Sequence, residues 1–454
     1  MGGSGVDAMR VAELKEREDA AFVAARPRSR AMWDAGKTVM PNGVPMSWLR
    51  TSYDHPPMFV ESASGSRLRD VDGHEYADFN IADMSMFTGY GPAPVVEAVS
   101  RRVAAGSQFL LPTEDSIWVA EELGRRYRLP FWQFTLAASS ANTEVIRVAR
   151  TITGRECVLF FDGKYHGHFD EALVQVDEES GGGLVPEESG LPADVTSRTV
   201  IVPFNDLDAL EQALQTRTIA VVITEPALTN NVGLLMPDDG FHTRLRELTR
   251  ATGTLLAYDE THTQVVGPGG LTAKWDLTPD LVTVGKSIAA GVPLGAYGMT
   301  PEVAEVLERP GGRDDAKPLV AVGGTLFGNP LSMAAARATM SDVLTDEAYA
   351  HTQQLGARLA DGLERIVEGA RLSWTVHHFW PRSGLTFAPS MPRDAVEAAE
   401  HFDVPLRRLS RVYLANRGVW DAIVGAGPTC SVAASAADVD AYLSAVASLV
   451  DELV

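Results

Sequence analysis

Residues 279–287 read Pro279-Asp280-Leu281-Val282-Thr283-Val284-Gly285-Lys286-Ser287, a short apolar run that delivers one lysine to its carboxyl end beside small residues. A run of this length without polar alternation suits a strand buried on both faces of a parallel sheet. Lysine is almost never fully buried without a partner or a chemical task, so Lys286 is either an ordinary loop lysine or an employed one. Upstream, Leu255-Leu256-Ala257-Tyr258-Asp259-Glu260 is a second apolar run that ends on a carboxylate. One strand–loop–strand unit fits the interval. Asp259 could simply cap a helix or bind a backbone amide.

Similar runs recur at Gln133–Ala137, Cys157–Phe161, Thr199–Val202 and Ala220–Thr224. Helical patterns at Thr143–Thr151, Asp206–Gln215 and Gly240–Ala251 separate them. This alternation predicts an α/β domain with a mainly parallel sheet flanked by helices, and ligands of such sheets bind beyond the strands' carboxyl ends. The later chain predicts long helices at Leu331–Leu344 and Tyr349–Gly369, a strand at Leu385–Phe387 and a closing helix from Ala437 to Leu453. A smaller α+β domain accounts for it. The expected division is 1–70 as an N-terminal segment joining the small domain, 71–325 as the large domain and 326–454 as the small one. Gln175–Pro192, with Gly181-Gly182-Gly183, reads as a surface loop.

Composition narrows the function. Of 454 residues, 45% are hydrophobic and 22% charged, and the net charge of -21 disfavours nucleic acid and anionic membrane partners. Cys157 and Cys430 are the only cysteines, which suggests neither a disulfide framework nor a zinc site and fits a reducing cytoplasm. The opening residues lack the pattern of a secretory signal, and no apolar run approaches the roughly 20 residues of a membrane span. A nucleotide-binding α/β protein would carry a G-x-G-x-x-G fingerprint or a Walker A loop, and neither is present.

Several ordered motifs, from about Ala31 to the end, resemble the class III aminotransferases, pyridoxal-phosphate enzymes of fold type I, and within them the glutamate-1-semialdehyde aminomutase and β-amino-acid transaminase branch. Leu136-Ala137-Ala138-Ser139-Ser140-Ala141-Asn142-Thr143-Glu144 is similar to the family's phosphate-cup segment, with Ala141 where serine is usual and Asn142 where glycine is usual. Asparagine tolerates a positive φ better than most residues, which keeps such a cup possible. Tyr165-His166-Gly167 resembles the aromatic-His-Gly motif, whose ring stacks on the cofactor. His166 and His168 lack a further ligand set, so no metal is expected. Glu225-Pro226 matches the strand-end step whose glutamate supports the site. Asp259-Glu260 is followed by Thr261, which presents a methyl to the ring, and by His262, read as structural. Gly323-Gly324-Thr325-Leu326-Phe327-Gly328-Asn329-Pro330 resembles the segment whose threonine reaches the cofactor phosphate of a neighbouring subunit.

The resemblance implies pyridoxal phosphate bound to Lys286 as a Schiff base, with Asp259 favouring the protonated pyridine nitrogen that makes the cofactor an electron sink. It also implies a homodimer with shared active sites, and ping-pong transfer of an amino group between an amine or amino acid and a keto or aldehyde acceptor. Aminomutases, racemases and decarboxylases use the same fold, and a non-catalytic relative is a further alternative. For the substrate, Trp48 and Met86, with Met46, Met84 and Phe87, could line an apolar pocket or belong to the core. Arg50, Arg382 and Arg417, with the first two ranked above the third, are candidates to take a substrate carboxylate.

Overall fold

The computed structural model describes residues 4–177, 182–311, 314–423 and 425–454. The chain forms two compact units, one from Met1–Pro92, Ala350–Met391 and Ala399–Val454, the other from Ala93–Tyr349 with Pro392–Ala398.

The second unit is built on seven strands: β1 (Phe131–Thr135), β2 (Cys157–Phe161), β3 (Thr199–Val202), β4 (Ile219–Thr224), β5 (Leu255–Asp259), β6 (Leu281–Val284) and β7 (Gly295–Met299). Their order across the sheet is β1-β7-β6-β5-β4-β2-β3. β6, β5, β4, β2 and β3 pair in parallel, while β7 runs antiparallel to both β6 and β1. All residues of β4, β6 and β7 are buried, as uniformly apolar strands covered on both faces should be. Helix α1 (Ala138–Thr153) contributes Val145, Val148 and Ala149 to a core shared with Val158, Val221, Ala257 and Leu281.

Strand β7 is not evident in the sequence because two glycines depress its strand signal. The glycines are there for space. A Cβ on Gly298 would stand 2.5 Å from the Trp132 ring, and one on Gly295 would stand 2.3 Å from the Ala137 carbonyl carbon. Two further expectations change. Leu331–Leu344 is not one helix, since Pro330–Ala338 gives way to a π turn at Thr339–Val343. The expected loop at Gln175–Pro192 holds an antiparallel hairpin of Val174–Asp177 with Gly183–Pro186; Gly181 lies outside the described residues.

In the first unit, Val60–Ser64, Arg67–Asp70, Glu75–Asp78 and Val419–Trp420 form a four-stranded sheet, and Thr375–Phe379 pairs with Arg382–Thr386. Its core gathers Leu14, Phe79, Leu359, Leu409, Tyr413 and Val446 from both chain ends. Among the described residues no helix is long and apolar enough to cross a membrane.

Candidate active site

β5 and β6 lie side by side with Asp259 opposite Thr283, so the chain leaves the same edge of the sheet at Asp259 and, three residues past Thr283, at Lys286. Lys286 has φ +51, a left-handed backbone that costs a non-glycine residue about 1–2 kcal/mol and persists only where the surroundings impose it. The other notable lysine of this unit, Lys164, is structural: its buried Nζ donates to the carbonyls of Ala172 and Val174 and meets Glu187 at 3.2 Å.

Asp259 is buried, yet its carboxylate is fully engaged. Oδ2 accepts from Asn142 Nδ2 at 2.8 Å and from His166 Nδ1 at 2.9 Å, and Oδ1 accepts from the Thr261 amide at 3.0 Å. Burial alone would push the carboxyl up; the His166 hydrogen bond and charge, with the Thr261 contact, outweigh it and hold Asp259 well below the usual carboxylate range. The result is a buried carboxylate kept ionised, suited to hold a proton on a basic ring nitrogen.

The same edge receives the amino end of α1. Its N-cap Ala137 supplies no side-chain cap, so the amides of the first turn, Ala138 to Ser140, point outward unpaired by the helix. Gly285 packs so closely there that a Cβ would stand 3.0 Å from Ala138 Cβ, and a Cβ on Gly167 (φ +108) would collide with Ser139 Oγ. Three chemistries therefore converge within one unit: an anion-ready helix terminus, an ionised carboxylate and a lysine.

The expected cup residues lie on the first two turns of α1. Asn142 lies inside α1 without a positive φ, and its side chain bonds His166 O and Asp259 rather than forming a turn. Ala141 is fully buried, and Thr143 Oγ1 bonds back to Ser139 O along the helix. Glu225, at the end of β4, accepts from Thr229 Oγ1 at 2.6 Å and stands 3.5 Å from His262 Nδ1, while His262 Nε2 meets Asn230 at 3.0 Å. The Tyr165 ring is half-buried, 6.1 Å from that of His262. Thr261 is buried and its hydroxyl has no hydrogen-bond partner among the described residues. Thr325 is exposed, its carbonyl accepting from Gln108. Two contributors escape a reading of the sequence: His166, whose motif points first to its tyrosine, and Gln264, whose amide bonds both Thr261 O and Gly285 O.

The candidate substrate residues belong to the first unit. Trp48 and Arg50 lie on the short helix Trp48–Thr51, where Arg50 donates to Tyr53 O and its guanidinium stands 5.4 Å from the Trp33 ring. Met84 and Phe87 are core residues, Met86 is half-buried and Met46 exposed. Ile81, Ala82, Asp83 and Met84 all have positive φ, a left-handed turn whose entry is held by Asp78, which accepts from the amides of Asn80 and Ile81. Arg382 is fully buried at the start of its strand. Arg417 is committed to Glu18 and to the Tyr413 ring.

A mainly parallel sheet in this strand order, with a lysine and a carboxylate at its carboxyl edge, defines an enzyme of the fold-type I pyridoxal-phosphate class. The chain belongs to the class III aminotransferase family, whose model matches residues 49–401. It is 35% identical over 383 residues to a glutamate-1-semialdehyde 2,1-aminomutase of Sorangium cellulosum, covering 82% of this chain and 84% of that one. The solved glutamate-1-semialdehyde aminomutase of Pseudomonas aeruginosa PAO1 is similar at 37% identity and TM-score 0.92, over 99% and 100% of the two chains; a lysine-to-alanine variant of it was solved with PMP. An omega-transaminase of Sphaerobacter thermophilus is similar at 29% identity and TM-score 0.87, over 95% and 99%.

Proposed function

We propose that this chain is a transaminase in which Lys286 binds pyridoxal phosphate covalently and moves the reacting proton. The observation that carries the reading is the pairing of a left-handed Lys286 with an ionised Asp259 on adjacent strand ends. Pyridoxal phosphate fits the donor set: its phosphate suits the uncapped amides of α1, and its ring nitrogen suits Asp259. When bound it supplies the electron sink for a carbanion next to nitrogen. The Ala141–Thr143 segment lies one turn into the same helix, with Asn142 holding Asp259 rather than the phosphate. Tyr165 offers a flat face for the ring and Thr261 its methyl, while Glu225 steadies His262 behind them.

With the cofactor held there, Lys286 Nζ would be the base that takes the proton from the substrate carbon next to nitrogen and the acid that gives it back. Asp259 keeps its charge throughout. Reversal with a second carbonyl compound completes a ping-pong cycle. Trp48, Met86, Arg50 and Arg382 are assigned to the substrate, the arginines to a carboxylate.

A second reading, a 2,1-aminomutase, is favoured by the relatives' activity. An amino donor and acceptor screen separates the two: a transaminase releases the keto product of the donor, whereas an aminomutase isomerises one compound and releases none.

We also infer a homodimer. Leu110 and Leu111 are 73% and 69% exposed, and they adjoin Thr325 through the Gln108–Thr325 bond, with Phe109, Ile117 and Leu326 also exposed. An apolar patch of this kind on a unit with its own core supports a partner surface, and the position of Thr325 beside it supports the reading in which that residue reaches a partner's phosphate site. A reducing cytoplasm suits the two free cysteines, Cys157 and the buried Cys430.

A further inference from the structure

We infer that Gln264 is a positioning residue that presents Lys286 to the cofactor; this rests on the assignment of Lys286 above. The parallel ladder between β5 and β6 ends with the Glu260 amide donating to Thr283 O at 2.9 Å. Past that point the two segments part. The buried amide of Gln264 joins them again: its Nε2 donates to Thr261 O at 3.0 Å and to Gly285 O at 2.8 Å.

The bond to Gly285 bears directly on the lysine. Gly285 O belongs to the peptide plane that leads into Lys286, and with φ fixed at +51 the direction of the lysine's Cα–Cβ bond is set by that plane. Gly285 is itself extended (φ −165, ψ −147) and wedged against Ala138, so the plane has little room except to rotate about its own ends. Among the described residues only the weak Ile288 amide contact, at 3.4 Å, otherwise reaches Gly285 O. Gln264 is thus the group that fixes the rotation. Its other bond, to Thr261 O, anchors it to the residue whose amide holds Asp259 Oδ1. One side chain therefore sets the lysine relative to the carboxylate, the two groups that must address different atoms of one ring. A displacement of about 1 Å at a reacting group can cost on the order of 100-fold in rate.

The test uses apoenzyme in wild-type form and as Gln264→Met, which keeps length and volume but has no donor, and Gln264→Glu, whose carboxylate would face two carbonyl oxygens. Two probes are added separately. Pyridoxal phosphate reports the lysine through the visible absorbance of the covalent adduct, trapped by borohydride and mapped to residue 286; pyridoxamine phosphate, which cannot react with a lysine, reports the rest of the pocket. Adduct formation is expected to slow by about 10- to 100-fold in both variants with pyridoxamine phosphate affinity near wild type, while the melting temperature falls in both because two buried carbonyls lose their donor. An adduct rate equal to wild type in a folded variant overturns the assignment, as does an equal loss of pyridoxamine phosphate affinity, which would make Gln264 a general support of the pocket. If only one variant folds, that variant decides. Absence of any adduct at residue 286 in the wild type would instead overturn the assignment of Lys286.

Discussion

Replacing Asp259 by asparagine keeps shape and removes charge, and its consequences can be worked from three hydrogen bonds. Oδ2 receives two donors, Asn142 and His166, and Oδ1 one, the Thr261 amide. An amide nitrogen placed at the Oδ2 position would face both donors; placed at the Oδ1 position it would face only the Thr261 amide. The second arrangement is cheaper; it leaves the Thr261 N–H without its acceptor and brings in the two N–H groups of the new amide, at about 1–3 kcal/mol for each buried group left unsatisfied. Chemistry loses more than folding does. If an ionised carboxylate on the ring nitrogen is worth about 2–4 kcal/mol to the transition state, kcat should fall about 30- to 1,000-fold while cofactor is retained, since the phosphate site is untouched. The assay is single-turnover conversion of the cofactor's visible bands with an amino donor, with thermal melting in parallel. A kcat within about threefold of wild type, with the spectrum unchanged, would remove Asp259 from the ring nitrogen and with it the argument for its depressed pKa as a functional device.

Lys286→Ala should fold normally and turn over no substrate, and borohydride reduction of the wild type should label residue 286 and no other lysine; peptide mapping decides. A Leu110→Glu/Leu111→Glu variant should raise the dimer dissociation constant by about 30-fold or more, and the resulting monomer should lose cofactor, both read by sedimentation and absorbance. An active monomer would contradict the role of Thr325. Arg50→Ala and Arg382→Ala should lower kcat/KM for an amino acid relative to its matched simple amine by about 2–5 kcal/mol if either holds the carboxylate, and an unchanged ratio in both rejects them. Glu260, fully buried, has its carboxyl pushed up to about 7 by burial against the donors Thr263, Thr272 and Leu271. Because the folded value lies above the ordinary value of 4.5, its contribution is fully present below pH 4.5 and is lost as pH rises through about 7, by about 3 kcal/mol at most. The urea stability of wild type relative to Glu260→Gln should accordingly be lower at pH 8 than at pH 5.

The sheet is legible in the sequence because burial on both faces leaves apolar runs: β2 and β3 begin and end where the sequence places them, and β6 lies within the run 279–287. β7 is not, since its glycines answer to the Trp132 ring and the Ala137 carbonyl, neighbours distant in sequence. The same division runs through the site. Lys286 and Asp259 announce themselves by standing at strand ends, whereas the work of Asn142, His166 and Gln264 depends on which atoms face one another across three segments. Asn142 stands out in the sequence for the glycine it replaces; its side chain, which glycine lacks, is what the site uses. Gln264 comes after a motif without belonging to it, and no periodicity or spacing marks a side chain whose partners are backbone carbonyls.

The choice between transaminase and aminomutase turns on departure rather than on proton transfer. In both reactions a base removes and returns a proton beside nitrogen, so the roles proposed for Lys286 and Asp259 would serve either outcome equally. An enzyme that moves an amino group from one carbon to the next of the same molecule must keep the carbonyl compound until the nitrogen returns; an enzyme that exchanges partners must let it leave. The ratio of the return rate to the rate of dissociation therefore decides, and a change of about 3 kcal/mol in how tightly the carbonyl compound is held shifts that ratio by roughly 150-fold. If Arg50 or Arg382 holds the substrate carboxylate as proposed, such a difference can be written there while Lys286 and Asp259 stay unchanged. A weakened arginine contact should thus increase release of carbonyl product per proton transferred, a partition measurable by comparing solvent deuterium incorporated into recovered substrate with keto product released.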